Sequence, residues 1–187
     1  MNVKGTFFAT TKATVSEAFG EERWNKFMAR LAAKDKYFKD NVIMSITLIP
    51  LDKCILLFDE LIDECFNGDK NAYVMFGRIG AKYALSPGGP YHSLMLTKNL
   101  KQFVEVSMPK IWSTYYDGGS VTGKLDNNTA YIKITNFPLK HVNYEKLLMG
   151  YYKQVLKVFG KKSVDTMVKS LAAGDDHMLF KYELKDA

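Results

Sequence analysis

The sequence predicts an α+β domain with a helical first two-thirds and an antiparallel ββαββ ending. Three observations carry that expectation. Apolar residues recur at three- and four-residue steps in several stretches before residue 117, the period of a helix face. Two stretches of alternating polarity flank Asp126-Asn127-Asn128, which is the signature of a hairpin. A further amphipathic helix is then followed by two more strand-like stretches around Gly174-Asp175-Asp176. A chain of 187 residues suits one core. A single domain of residues 1–187 is therefore expected, helical over about 1–117 and ββαββ over about 118–187.

Taken in order, Val3 to Thr10 reads as a short strand or extended arm. Thr14 and Glu17 have capping-box spacing, in which a hydroxyl and a carboxylate each satisfy an orphan backbone donor, so a helix start is expected there. That helix bears Trp24, Phe27, Met28 and Leu31 on one face, with Lys26 and Arg30 on the other. Lys34 to Asp40 is charged and fits neither period, and the β-branched stretch Asn41 to Ile49 reads as extended. Pro50 suits the first position of a helix reaching Phe66, striped by Ile55, Phe58, Leu61, Ile62 and Cys65 and stopped at Gly68. Another helix is expected from Lys70 to Leu85, where Gly77 and Gly80 suggest close contact with a neighbour.

Ser86-Pro87-Gly88-Gly89-Pro90 breaks the chain into a loop. From Ser93 to Tyr115 the helical pattern resumes through Leu96, Leu100, Phe103, Ser107, Ile111 and Tyr115. Pro109 should kink or break it, because proline lacks a donor and clashes with the preceding turn. The hairpin then joins Ser120–Leu125 to Thr129–Thr135. Asn143 to Phe159 is an amphipathic helix, Ser163 to Leu171 a third strand, and Met178, Phe180, Tyr182 and Leu184 share one face of a fourth.

Composition narrows the function classes. The net charge is +6, but the lysines are spread along nearly every segment and no recognition motif accompanies them, so nucleic acid is not an expected partner. No run of about 18 apolar residues exists to form a transmembrane segment. Cys54 and Cys65 fall on one expected helix, roughly 16 Å apart at its rise per residue, too far to pair. Unpaired thiols and the lack of a signal-peptide pattern suit a cytoplasmic location.

Candidate chemistry is sparse. Asp52, Asp59, Glu60, Asp63 and Glu64 form an acidic ridge without the Glu-x-x-His repeat of di-iron bundles, and a solvated face is expected. His92, His141 and His177 share no metal-type spacing. Cys54 and Cys65 read as structural thiols, and Ser16, Ser45 and Ser107 stand in no nucleophile-elbow context. Trp112, Tyr115, Tyr116, Tyr151 and Tyr152 are of the kind that lines an apolar site with polar tips, or that simply fills a core.

Four pieces occur together: Val3-Lys4-Gly5-Thr6-Phe7-Phe8, Trp112-Ser113-Thr114-Tyr115-Tyr116-Asp117-Gly118-Gly119, Thr135-Asn136-Phe137-Pro138 and the strand from Gly174-Asp175-Asp176. With them the chain resembles, over nearly its whole length, a protein family abundant in myxobacteria and related deltaproteobacteria. That family is similar in turn to the superfamily of four-vinyl-reductase-like domains, TRAPP vesicle-tethering subunits and haem nitric-oxide-binding (H-NOX) domains. The resemblance implies helices packed on a four-stranded antiparallel sheet, often paired into dimers. H-NOX domains use a histidine on the helix before the sheet and a Tyr-x-Ser-x-Arg motif. Here Gln102 and Phe103 stand near the first, and the strand from Ile132 to Asn136 lacks the second. Ser170 and His177 stand near places where four-vinyl-reductase-like domains carry cysteines. No cofactor and no metal are therefore expected, haem being disfavoured.

The resulting expectation is a non-enzymatic sensor or adaptor that binds a small apolar ligand between helices and sheet, with Phe103, Trp112, Tyr115, Tyr151 and Tyr152 lining the site. The alternative is a dimeric protein-interaction module without a ligand. In either case a protein partner or homodimer is expected, and no catalytic residue.

Overall fold

The computed structural model describes residues 1–95 and 99–186. The fold is α+β, with a four-stranded antiparallel sheet at the C-terminal end. Its contacts divide the chain into two compact units, residues 2–72 and residues 73–187, with Met1 counted in the second.

The first unit begins with strand β1 (Asn2–Lys4), paired antiparallel with β2 (Leu48–Pro50). Between them lie α1 (Thr6–Phe19), α2 (Glu21–Lys34) and the short α3 (Lys36–Asp40), and α4 (Leu51–Cys65) follows β2. The extended arm expected to Thr10 is thus only three residues long. The helix start expected at Thr14 lies inside α1, where the Thr14 hydroxyl donates to the Thr10 carbonyl (2.9 Å) instead of capping an end. A Thr-x-x-Glu spacing cannot by itself separate a cap from this back-bonding. The boundary falls at Gly20, whose φ of 87° breaks the helix in two.

Aromatic edges join the helices of this unit. Phe8 meets Trp24 (5.4 Å) and Phe7 meets Phe58 (5.6 Å). The acidic ridge of α4 faces the basic side of α2: Arg30 and Arg23 reach Glu64 (3.2 and 3.8 Å), and Lys34 reaches Glu60 (2.5 Å). Asp35 caps α3 through the Tyr37 amide and grips Lys53 (2.5 Å). The lysine holds its carboxyl below the ordinary aspartate value. Cys54 is buried, and no disulfide joins it to Cys65. Of Asn41 to Ile49, expected to be extended throughout, only the last two residues join β2, and a turn at residues 45–46 interrupts the rest.

α5 (Asn71–Leu85) leads into the second unit, followed by a 3₁₀ turn (His92–Met95). Leu96, part of the expected helical stripe, lies outside the described residues. The next helix runs as α6 (Leu100–Gln102), a π-helical stretch (Phe103–Ser107) and α7 (Met108–Tyr115). The π stretch stands directly ahead of Pro109: proline brings no N–H to bond the turn before it, and the chain there is π-helical and passes on into α7.

The sheet contains β3 (Ser120–Asp126), β4 (Thr129–Thr135), β5 (Lys161–Lys169) and β6 (Met178–Asp186) in the spatial order β3-β4-β6-β5. Its buried face is the expected alternating set: Ala130, Ile132 and Ile134 of β4, and Met178, Phe180, Tyr182 and Leu184 of β6. α8 (Val142–Val158) lies on this face, with the Tyr182 hydroxyl donating to the Met149 carbonyl (2.9 Å). The π-helical stretch presses on β3, where a Cβ at Gly123 would sit 2.1 Å from the Val104 carbonyl oxygen. Glu105 completes that contact by accepting from the Leu125 amide on the sheet edge (3.1 Å).

α5 and α8 meet backbone to backbone. A Cβ at Gly77 would lie 1.9 Å from the Leu147 carbonyl oxygen, and one at Gly150 would lie 2.5 Å from that of Val74. Gly80 differs, since a Cβ there meets only the Tyr151 ring at 4.0 Å. Gly77→Ala is therefore expected to destabilise by about 2 kcal/mol or more through overpacking. Gly80→Ala should stabilise by up to about 1 kcal/mol through helix propensity. Denaturant unfolding of the two variants checks both signs, and equal effects would contradict the crossing.

Candidate functional site

Among the described residues of the C-terminal unit, three aromatic groups hold the residues expected to line a site. The first is a box of Trp112, Tyr116, Phe137 and Tyr144. Trp112 stacks on Tyr116 (4.1 Å) and Phe137 stacks on Tyr144 (6.0 Å), with edge and tilted contacts between the pairs. The two tyrosine hydroxyls bond to each other (2.8 Å), and the Trp112 indole N–H donates to the Gly118 carbonyl (3.1 Å). Gly119 follows with a φ of 65°, so the Trp-x-x-Tyr-Tyr-Asp-Gly-Gly stretch ties the end of α7 to the start of β3. The second group is Phe103 against Phe159 (5.0 Å), with Phe103 fully buried in the π-helical stretch.

The third group is a chain of tyrosines. Tyr91 meets Tyr115 (5.5 Å), Tyr115 meets Tyr151 (6.4 Å), Tyr151 meets Tyr152 (5.6 Å), and Tyr152 meets Phe180 on the sheet (6.4 Å). The Tyr91 hydroxyl bonds to that of Thr114. Tyr151 is different. Its ring is partly accessible, yet its hydroxyl oxygen is buried and has no hydrogen-bond partner among the described residues. Buried polar groups are rarely left so, because the desolvation cost goes unreturned. Burial holds the phenols of Tyr115, Tyr151 and Tyr152 above their ordinary value, and neighbouring tyrosines add to the effect at Tyr115 and Tyr151. The Tyr151 hydroxyl is thus a neutral donor at physiological pH.

Of the five residues expected to line a site, Tyr115, Tyr151 and Tyr152 come together in this third group. Trp112 sits in the closed box and Phe103 in the Phe103–Phe159 pair. The crossing of α5 and α8 sets Tyr151 in place, since Gly77 and Gly80 leave room on α5 for its backbone and ring.

The three histidines and Ser170 have structural partners. His92 Nδ1 meets the Leu85 carbonyl (3.1 Å), His141 Nδ1 caps α8 by accepting from the Tyr144 amide (3.1 Å), and His177 Nδ1 meets Asp176 (2.6 Å). Ser170 caps the short turn at Leu171–Ala173 (3.2 Å). Sequence reasoning missed Glu145. Buried in the first turn of α8, it accepts from the Ala172 amide (2.9 Å) through one oxygen, while its other oxygen has no partner among the described residues. A signal was available: Glu145 falls in step with the apolar residues Leu148 and Tyr152 on the same helix.

No protein-family model and no curated protein matches the chain. Solved structures do. An H-NOX protein from S. oneidensis in the Fe(II)NO state is 17% identical with a TM-score of 0.70, covering 98% of this chain and 99% of that one. An NMR structure of a Shewanella oneidensis H-NOX domain in the Fe(II)CO state gives 0.72 at 17% identity, with coverage of 98% and 99%. The Fe(II) unliganded H-NOX protein from K. algicida gives 0.71 at 11%, with coverage of 98% and 97%. The chain has the H-NOX fold.

These neighbours correct the expectation that no cofactor accompanies the fold, because they are iron-containing. The donor set of this chain departs from a histidine-ligated haem on the helix before the sheet. From Leu100 to Tyr115 that helix bears no histidine or cysteine, and its only side chains of haem-ligand type are Met108, which is buried, and Tyr115. Histidine ligation from that helix does not fit.

The tyrosine chain makes a pH prediction. A phenol with a raised folded value keeps its proton after the unfolded chain has lost it, so its stabilising effect is complete below about pH 10 and declines above. Tyr115, Tyr151, Tyr152 and Tyr182 all have raised values. Absorbance at the tyrosinate band should therefore show part of the tyrosines ionising in one step with alkaline unfolding, detected in parallel by circular dichroism. Complete ionisation near the ordinary value with the fold intact would contradict these burials.

Proposed function

We propose that the chain is a sensor domain that binds a small, largely apolar ligand in its C-terminal unit. Tyr115, Tyr151 and Tyr152 contact the ligand, while Phe103 and Trp112 fix the helix that carries Tyr115. Residues 1–187 act in this reading as one functional domain, and the Trp112–Gly119 stretch supports kinship with the myxobacterial family. The observation that carries the proposal is the buried Tyr151 hydroxyl, which has no partner among the described residues. As a neutral donor among rings, it selects a ligand with an apolar body and one hydrogen-bond acceptor, such as a carbonyl, an ether or a bound diatomic oxide. The H-NOX fold supports the sensor part, since two of the solved examples were captured with NO and with CO. A ligand bonded to Tyr151 bridges α5, α7 and α8, and so favours whichever arrangement of these helices it fits better.

Native mass spectrometry and an absorption spectrum of freshly purified protein test this directly. Retained mass that leaves on denaturation is expected, and a Soret band would identify it as haem held by donors other than a helix histidine. Tyr151→Phe should weaken retention by roughly tenfold, the effect of one hydrogen bond. Without ligand, the same substitution should raise Tm, because it removes an unsatisfied hydroxyl. A clean polypeptide mass, with Tm unmoved by a panel of apolar carbonyl compounds, overturns the reading and favours a ligand-free interaction module.

A further inference from the structure

The segment between α3 and β2 displays large apolar side chains to solvent at every second residue. Val42 is 84% exposed, Met44 57%, Ile46 74% and Leu48 56%. The backbone presenting them is built. Thr47 N–H donates to the Met44 carbonyl and Met44 N–H to the Thr47 hydroxyl, both at 3.0 Å, closing a turn over Ser45 and Ile46. Gly5 N–H donates to the Thr47 carbonyl (2.7 Å). A Cβ at Gly5 would lie 2.1 Å from the Met44 carbonyl oxygen, so the turn is seated directly on the glycine. Leu48 then enters the ladder opposite Lys4.

Charge around this turn is one-sided. Residues 41–50 contain no ionisable side chain, and Asp40 is the only carboxylate from residue 36 to residue 51. In the N-terminal unit, Lys12, Arg23, Lys26, Arg30, Lys34, Lys53 and Lys70 are all engaged in ion pairs. Lys4, Lys36 and Lys39 are not, among the described residues, and these three border the turn: two on α3 just ahead of it, one beside Leu48. Cross-strand partners share a face, so Lys4 and Leu48 project together.

We propose that this turn is a contact for an anionic lipid surface. Met44 and Ile46, flanked by Val42 and Leu48, enter the headgroup region, and Lys4, Lys36 and Lys39 pair with lipid phosphates and carboxylates. The chemistry selects lipid over a folded protein partner. From residue 41 to residue 50 there is no Trp, Tyr or Arg, the usual anchors of protein interfaces. Lysine ammoniums are flexible point charges suited to a disordered anionic plane. The proposal concerns the N-terminal unit and stands apart from the ligand reading above.

Flotation of the full chain with vesicles of phosphatidylcholine alone, or with about one-fifth phosphatidylserine, tests it. Binding to the anionic vesicles should exceed binding to neutral ones by roughly tenfold or more and fall in high salt. Ile46→Asp and the pair Lys36→Glu/Lys39→Glu should each reduce it by roughly tenfold, with Tm unchanged because these side chains are not in the core. Absence of binding to anionic vesicles overturns the proposal. So does binding that survives Ile46→Asp, which would reflect only the overall positive charge. A self-associated chain that Ile46→Asp renders monomeric also overturns it, by assigning the turn to a second copy.

Discussion

The backbone-to-backbone crossing of α5 and α8 is the constraint on which the C-terminal unit depends. Glycine at 77 and at 150 lets two carbonyl oxygens approach where any side chain would collide. Because α8 also lies on the sheet, through Tyr182 and Met149, the crossing fixes the distance between α5 and the buried face of β4 and β6. Tyr151 and Tyr152 follow Gly150 directly, so their placement is set by the same contact. One ring is directed toward Tyr115 and the other toward Phe180. The π-helical stretch performs a similar service on the other side. It carries the helix past Pro109 without a break and lays Val104 on Gly123.

Within that frame, polar satisfaction separates architecture from opportunity. Trp112, Tyr116 and Tyr144 are as aromatic as the tyrosine chain, but every polar tip in their box has a partner, and the box closes a helix onto a strand. The tyrosine chain differs, since the buried Tyr151 hydroxyl has no partner among the described residues. Composition alone treats both groups alike. The difference is one of hydrogen-bond accounting, which requires coordinates.

The N-terminal unit divides its charges in the same informative way. Basic residues of α2 answer acidic residues of α4, which is why a ridge with the look of a cation site is an intramolecular ion-pair seam. The lysines left over, Lys4, Lys36 and Lys39, border an apolar stretch that the fold leaves exposed. Likeness to H-NOX structures at 11 to 17% identity establishes the fold, and the ligand chemistry of this chain rests on its own side chains.

The sequence by itself determined the class of fold and the C-terminal strand order along the chain, because alternation and turn residues act locally. Asp126-Asn127-Asn128, Gly174 and the face Met178, Phe180, Tyr182, Leu184 all lie where local chemistry puts them. It also pointed to Gly77 as a contact and to Pro109 as a disturbance. Only the tertiary structure decided that Thr14 is an interior helix residue, that Trp112 and Phe103 belong to groups apart from Tyr115 and Tyr151, and that Glu145 is buried. Thr14 aside, whose partner Thr10 lies one turn back, each depends on a neighbour distant in the chain: Phe137 for Trp112, Phe159 for Phe103 and Ala172 for Glu145. A single sequence records which side chains are present and their local period. Which carbonyl, ring or carboxylate each one meets is settled when the helices cross.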